Sequence, residues 1–170
     1  MTVPRRSTGP STEARDAPRR RGGAARALVA SSAVSRPTVL ALHHVGLAVR
    51  DTATATATYG ALLGAAVDHD ATVPDQGVHA VALRLPDGPM VELIAPTGED
   101  TPVGRFLRRR GEGLHHVAYR VDDLAAELTR LEADGVPLID RAPRVGLFGL
   151  QVAFIHPEGA HGVLTELVQL

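Results

Sequence analysis

The sequence predicts an α+β fold made of two tandem βαβββ modules, spanning approximately residues 38–97 and 111–170. Three observations predict it. An internal duplication aligns LHHVGLAVRD at 42–51 with LHHVAYRVDD at 114–123, and each copy opens a strand–helix–strands unit. Each unit closes on an apolar strand holding one glutamate, MVELIAP at 90–96 and LTELVQL at 164–170. The spacing agrees, because His116 follows His44 by 72 residues and Glu166 follows Glu92 by 74. A repeat of this kind constrains the architecture more than any single segment does.

Taken in order, residues 39–49 are a strand rich in branched residues, stopped by Arg50 and Asp51. Residues 52–63 alternate Thr and Ala, which has strand period and poor helix propensity. Asp51 nonetheless suits an N-cap, and Tyr59, Leu62 and Leu63 fall at helical spacing. The duplication decides for helix, since this segment occupies the place of a clear helix at 123–133. Short strands follow at 66–71, 78–85 and 90–95, the last two joined by a Pro-Asp-Gly-Pro turn. Residues 101–110 read as a short helix and 114–121 as a strand. The helix at 123–133 has an acidic cap, Leu124, Leu128 and Leu131 on one face, and Gly135 as its stop. Strands near 136–139, 150–155 and 162–168 complete the second module.

Composition bounds the rest. The chain has 170 residues and a net charge of −1, enough for one domain and a tail. Hydrophobic residues make up 44% but aromatics only 3%, so the core must be built of Val, Leu and Ala. No cysteine is present, which excludes disulfides and thiolate metal sites. All eighteen basic residues are Arg, a habit of a GC-rich genome rather than a sign of a basic surface. Near-neutral charge argues against a nucleic-acid binder, and no apolar run is long enough to cross a membrane. Residues 1–37 are rich in Arg, Ser, Thr, Pro, Gly and Ala without apolar period, and read as a disordered tail. Residues 19–34 faintly suggest a targeting peptide, but Ser31 and Ser32 interrupt the apolar part; a bland tail or a misplaced start codon fits better.

Four residues carry the chemistry. Strand alternation sends the two rings of each His-His pair to opposite faces. His43 shares its face with Val45, Leu47 and Val49, whereas His44 shares its face with Gly46 and Ala48, which leave room for a ligand. His116 likewise shares a face with Ala118 and Arg120. Glu92 and Glu166 sit mid-strand between apolar neighbours, where a buried carboxylate is costly unless paired or bound to a cation. A lone strand histidine is usually an ordinary core residue. Four residues at matching positions of a duplicated unit point instead to a site for a divalent ion such as Co, Ni, Zn, Mn or Fe(II), held by His44, Glu92, His116 and Glu166.

These modules resemble the vicinal oxygen chelate superfamily, which includes glyoxalase I, extradiol dioxygenases, bleomycin-resistance proteins and methylmalonyl-CoA epimerase. LHHVGLAV, PDQGV (74–78), VELIAPTGEDTPVGRFL (91–107), GEGLHHVAYRVDDL (111–124) and FIHPEGAHGVLTELVQ (154–169) look epimerase-like. The resemblance spans nearly all of residues 40–170. It implies a curved mixed sheet around a metal-binding cleft, with the same four ligands. It further implies an isomerase that epimerises methylmalonyl-CoA, or a similar 2-alkylmalonyl thioester, by proton removal and return through a metal-stabilised enolate. The expected partners are a small-molecule acyl-CoA and a second copy of the chain, in the cytoplasm, with no nucleic acid or membrane. The all-carboxylate ligand set also resembles glyoxalase I, so lactoylglutathione lyase chemistry is the alternative. A resistance-type binding protein is a third reading, and retention of all four ligands argues against it. A dioxygenase fits less well, because that class keeps three protein ligands.

Two departures from the family stand out. Some epimerases carry a basic Glu a few residues after the Gln-Gly-Val stretch, and the matching position is Ala80; alternation points the adjacent His79 to the other face. Glu92 and Glu166 are then the candidates for proton removal and return. The stretch GLFGLQVAF (146–154) places Leu147, Phe148 and Leu150 where relatives usually carry small or polar residues, consistent with an altered acyl preference or a subunit contact. Arg108, Arg109 and Arg110 read as a solvated helix end rather than a phosphate site. Asp68, His69 and Asp70 read as surface residues, and His156 and His161 receive no catalytic role.

Overall fold

The structure is a computed structural model that describes residues 39–170. The tail expected at residues 1–37 lies outside the described residues. In chain order the elements are β1 (Val39–Ala48), α1 (Thr52–Leu63), β2 (Ala66–Val73), β3 (Val78–Arg84), β4 (Met90–Pro96), α2 (Pro102–Arg110), β5 (Gly113–Val121), α3 (Leu124–Ala133), β6 (Arg144–Val145), β7 (Gln151–Ile155) and β8 (Thr165–Gln169). The eight strands form one mixed sheet in the order β2-β3-β4-β1-β5-β8-β7-β6. That order is symmetric about the antiparallel β1–β5 junction, and on each side the next pairing, β1–β4 or β5–β8, is parallel. The duplication therefore appears as two four-stranded halves joined edge to edge. The sheet curls, so that His69 on β2 and Phe148 beside β6 bring their rings to 4.4 Å although their strands are at opposite edges.

Helices α1 and α3 cover one face of the sheet. Asp123 caps α3 by accepting a hydrogen bond from Ala126 N at 2.9 Å. Leu124, Leu128 and Leu131 then recur at helical spacing and pack on Val121, Ala153, Ile155 and Leu167. Asp51 caps α1 in the same way, accepting from Thr54 N at 2.7 Å. The Thr-Ala segment is thus helical, as its place in the repeat requires. Its sheet-facing residues are Thr52, Ala55 and Tyr59, while Leu62 and Leu63 are exposed. Helix α2, capped by Thr101, packs on the opposite face, where Val103 and Leu107 meet Ala48, Val78, Ala80 and Ile94.

Two strand expectations need correction. Residues 136–139 make one isolated bridge, Leu138 to Ile155, rather than a strand, because Pro137 lacks the amide that a ladder needs. The edge strand β6 is instead the two residues Arg144–Val145. The last strand begins at Thr165 rather than at 162, because His161 (φ 52°) and Gly162 (φ 91°) are left-handed and end a short turn of helix at Pro157–Ala160.

Candidate metal centre

The four central strands each carry one candidate ligand: Glu92 on β4, His44 on β1, His116 on β5 and Glu166 on β8. Register aligns them. His44 pairs with Ala118 and Gly46 with His116 across the β1–β5 junction, while Glu92 lies beside Gly46 and Glu166 beside Ala118. All four side chains consequently point to one face, into a cavity of about 780 Å³. That is the size of an ordinary small-molecule site.

The imidazole Nε2 atoms of His44 and His116 lie 3.0 Å apart. Glu92 Oε2 is 3.5 Å from the first and 3.3 Å from the second, and Glu166 Oε2 is 3.0 Å and 3.4 Å from them. One ligand atom each from His44, Glu92 and His116 falls within 4.8 Å of the others, a grouping that suits a metal ion. His44, His116 and Glu166 are all less than 10% exposed. Burial alone would lower both imidazoles, but Glu166 and Glu92 override it and raise His44 to about 10 and His116 to about 9. Burial would likewise raise both carboxylates, and the imidazoles of His116 and His44 instead hold Glu92 and Glu166 well below the usual carboxylate range. The cluster is thus arranged to hold positive charge at its centre.

Two observations test whether a divalent cation fits. Glu166 Oε2 is fully buried and within ion-pair distance of both rings, yet aligned for a hydrogen bond with neither. An orphaned buried oxygen is costly, and a cation among the four groups would satisfy it. Gly46 forms the other part of the cradle. A Cβ there would stand 2.0 Å from Cε1, 2.3 Å from Nδ1 and 2.5 Å from Nε2 of His116. The two-imidazole, two-carboxylate donor set is chemically suited to such an ion.

The expectation that each His-His pair splits across the sheet is overturned. His43 and His115 both line the cavity beside the ligand-bearing face. The cause is a pair of β-bulges. On β1 the register runs from Leu42–Tyr119 to His44–Ala118, which leaves His43 without an opposite residue. On β5 it runs from Gly46–His116 to Leu47–Leu114, which leaves His115 without one. A bulge re-aims the extra side chain, so alternation fails at these two residues. Burial, and next the positive charge on the adjacent ring, lower both, with His115 at about 4.

The remaining sequence candidates separate. Ala80 lines the cavity and is buried against Val78, Ile94 and Leu147, while His79 faces away and contacts Thr52 Oγ1 at 3.0 Å and Asp70 at 2.6 Å. Leu147, Phe148 and Leu150 all border the cavity, and Phe148 is left-handed at φ 63°, a strained state for a non-glycine residue. Asp68, His69 and Asp70 go three ways, to Arg84, to the Phe148 ring and to His79. Arg108 meets Glu99 O and Asp100, and the three arginines at the end of α2 are exposed. His156 caps the turn after β7 by accepting from Glu158 N at 3.2 Å. Sequence reading missed the role of Gly46, although its smallness was visible, and missed His43 and His115 because a bulge leaves no mark on period-two patterning.

Comparison with known proteins identifies the family. Residues 43–154 match the family model described as the Glyoxalase/Bleomycin resistance protein/Dioxygenase superfamily. The ethylmalonyl-CoA/methylmalonyl-CoA epimerase of Cereibacter sphaeroides is 37% identical over 131 residues, covering 76% of this chain and 97% of that protein. The crystal structure of methylmalonyl-CoA epimerase from Mycobacterium tuberculosis superposes with a TM-score of 0.76 at 37% identity, over 81% of this chain and 93% of that one. A variant of the Streptomyces coelicolor methylmalonyl-CoA epimerase, in complex with 2-nitronate-propionyl-CoA, superposes with a TM-score of 0.75 at 34% identity, over 77% and 97% of the two chains.

Proposed function

The chain belongs to the glyoxalase/bleomycin resistance protein/dioxygenase superfamily, and from that premise we propose that residues 38–170 epimerise methylmalonyl-CoA or a similar 2-alkylmalonyl thioester. The observation that carries this reading is the convergence of His44, Glu92, His116 and Glu166 from four adjacent strands into one cavity, in a chain whose relatives include such epimerases. We assign the four side chains as ligands of a divalent ion. Bound there, the ion supplies Lewis-acid stabilisation of the negative charge that develops on the substrate oxygens.

The substrate carbon lies between a thioester and a carboxylate, and inversion requires a proton to leave one face and return to the other. Glu92 and Glu166 flank the imidazole pair, one on β4 and one on β8. Removal takes an ionised carboxylate on one side of the carbon, and return takes a protonated one on the other. We assign removal to one and return to the other, because Ala80 offers no exchangeable group on its side of the cavity. The apolar wall of Leu147, Phe148, Leu150 and Phe154 keeps water from the reacting carbon. The reading includes a cytoplasmic homodimer. The absence of cysteine agrees with a reducing compartment, no helix among the described residues is long and apolar enough to cross a membrane, and exposed Val39, Leu40 and Leu42 supply apolar surface for a second copy.

The test is incubation of metal-loaded protein with one stereoisomer of methylmalonyl-CoA in deuterium oxide. Racemisation with deuterium uptake at the 2-carbon is expected. No exchange, with turnover of the methylglyoxal–glutathione adduct, would replace this reading with a lyase. Glu166→Gln is expected to suppress label uptake at least 100-fold, within the usual range for loss of an acid–base group; uptake at the wild-type rate would remove Glu166 from the mechanism.

A further inference from the structure

We infer that His43 and His115 are positioning residues that fix the tautomer and ring orientation of His44 and His116. The inference rests on the assignment of His44 and His116 as metal ligands. His43 Nδ1 lies 2.8 Å from His44 Nδ1, and His115 Nδ1 lies 3.0 Å from His116 Nδ1. The contact thus repeats, atom for atom, in both halves of the duplication. A neutral imidazole has one N–H and one bare nitrogen, so a contact at this distance requires one ring to donate and the other to accept.

Geometry decides which does which. The Nε2 atoms of His44 and His116 face each other, Glu92 and Glu166, and among the described residues they are the ring nitrogens that reach the centre. A cation there needs both Nε2 atoms bare, which leaves the proton of each ring on Nδ1. His44 and His116 therefore donate, and His43 and His115 accept through bare Nδ1 atoms while carrying their own protons on Nε2. Such outer partners orient metal-binding imidazoles and raise their basicity.

The backbone supports the assignment independently. Alternation would carry His43 and His115 to the far face, and each is brought back by a bulge located at that one residue. Two register breaks at equivalent points of two modules serve the same contact. The second pair is further held by neighbouring rings, with Phe106 edge-on to His115 at 4.9 Å and Phe154 edge-on to His116 at 5.7 Å.

Zinc binding and nitrogen-15 NMR of the imidazoles test this. His43→Phe and His115→Phe keep a planar ring but remove the acceptor, while His43→Asn and His115→Asn return an acceptor oxygen near the Nδ1 position. The Phe variants should bind Zn(II) about 10- to 100-fold more weakly than wild type, measured by competition with a chromophoric chelator, and the Asn variants should recover most of that loss. In zinc-loaded wild-type protein, His44 and His116 should carry their protons on Nδ1, and His43 and His115 on Nε2. Wild-type affinity in folded Phe variants, or a proton on Nδ1 of His43 or His115, overturns the inference alone. The NMR reading needs no variant and decides the matter even where a substitution prevents folding. Failure of the wild-type protein to take up zinc overturns the metal assignment and this inference together.

Discussion

Replacing Gly46 with Ala tests the metal cradle with a single methyl group. Gly46 is absent from the positive-φ glycines, so its backbone suits alanine, and substitution within a strand carries no conformational penalty. The methyl would nevertheless lie 2.0 Å from Cε1 of His116, far inside any tolerated contact. His116 is 3% exposed and is hemmed in by Phe154 and His115, so the ring has little free space into which to withdraw. Relieving the overlap takes roughly 1 Å of ring movement, and a misplacement of about that size costs on the order of 100-fold at a functional group. Metal sites tolerate only about 0.2 Å. Gly46→Ala should therefore keep its circular dichroism spectrum and lose about 100-fold in Zn(II) affinity by calorimetric titration, with a parallel loss of epimerisation. A variant that binds zinc within twofold of wild type would show that the four residues do not form the centre described here.

The pH dependence of the metal-free protein follows from the same cluster. His44 and His116 titrate higher in the folded state than their ordinary 6.5, so their contribution to stability is complete below about pH 6.5 and is lost as pH rises through about 9 to 10. Glu92 and Glu166 titrate below their ordinary 4.5, so theirs is present above that value and fades as pH falls. His43 and His115 titrate below their ordinary 6.5, so their contribution is lost as pH falls below that value. Thermal melts in excess chelator should therefore peak near pH 6.5 and decline toward pH 10, and a flat alkaline limb would contradict the coupling. In the core, Leu128 is 2% exposed within the α3 cluster, and Leu128→Ala should lower unfolding free energy by about 2–5 kcal/mol in urea titration.

Much of this was legible in the sequence because a duplication states each element twice. The Thr-Ala run of α1 carries only Asp51 as a cap and Tyr59, Leu62 and Leu63 at helical spacing against its strand-like alternation, and its alignment with α3 decided for helix. The four converging residues were readable for the same reason: matching offsets place Glu92 and Glu166 beside equivalent points of β1 and β5. What was not legible was local register. Residue identity and spacing are the same whether a strand runs straight or carries a bulge, so His43 and His115 read as far-face residues. Nor did the second module announce that Pro137 would break one strand and shift the edge pairing to Arg144–Val145.

The symmetry between the halves is also incomplete in a way that explains Gly46. Its equivalent on β5 is Ala118, which already carries a methyl beside His44, so the two cradles cannot be superposable. The difference traces to the flanking strands. Glu166 pairs with Phe154 on β7, whereas Glu92 pairs with Ala82 on β3. Phe154 meets the His116 ring at 5.7 Å, and its strand β7 lies on the other side of β5 from the Gly46 strand β1, while Ala82 presents only a methyl at the matching place. A large residue on one side of the ring thus requires none on the other, and the aligned motifs show this only as an innocuous exchange of Gly for Ala. If that account is right, Phe154→Ala should partly rescue Gly46→Ala by giving His116 room to withdraw without leaving the centre. The cavity in place of Phe154 costs stability on its own, about 3–5 kcal/mol, so the comparison must be made in zinc affinity, through a double-mutant cycle. The double variant should bind zinc roughly tenfold more tightly than Gly46→Ala alone, a coupling of about 1.4 kcal/mol. Strictly additive losses would mean that Phe154 and Gly46 do not act on His116 from opposite sides.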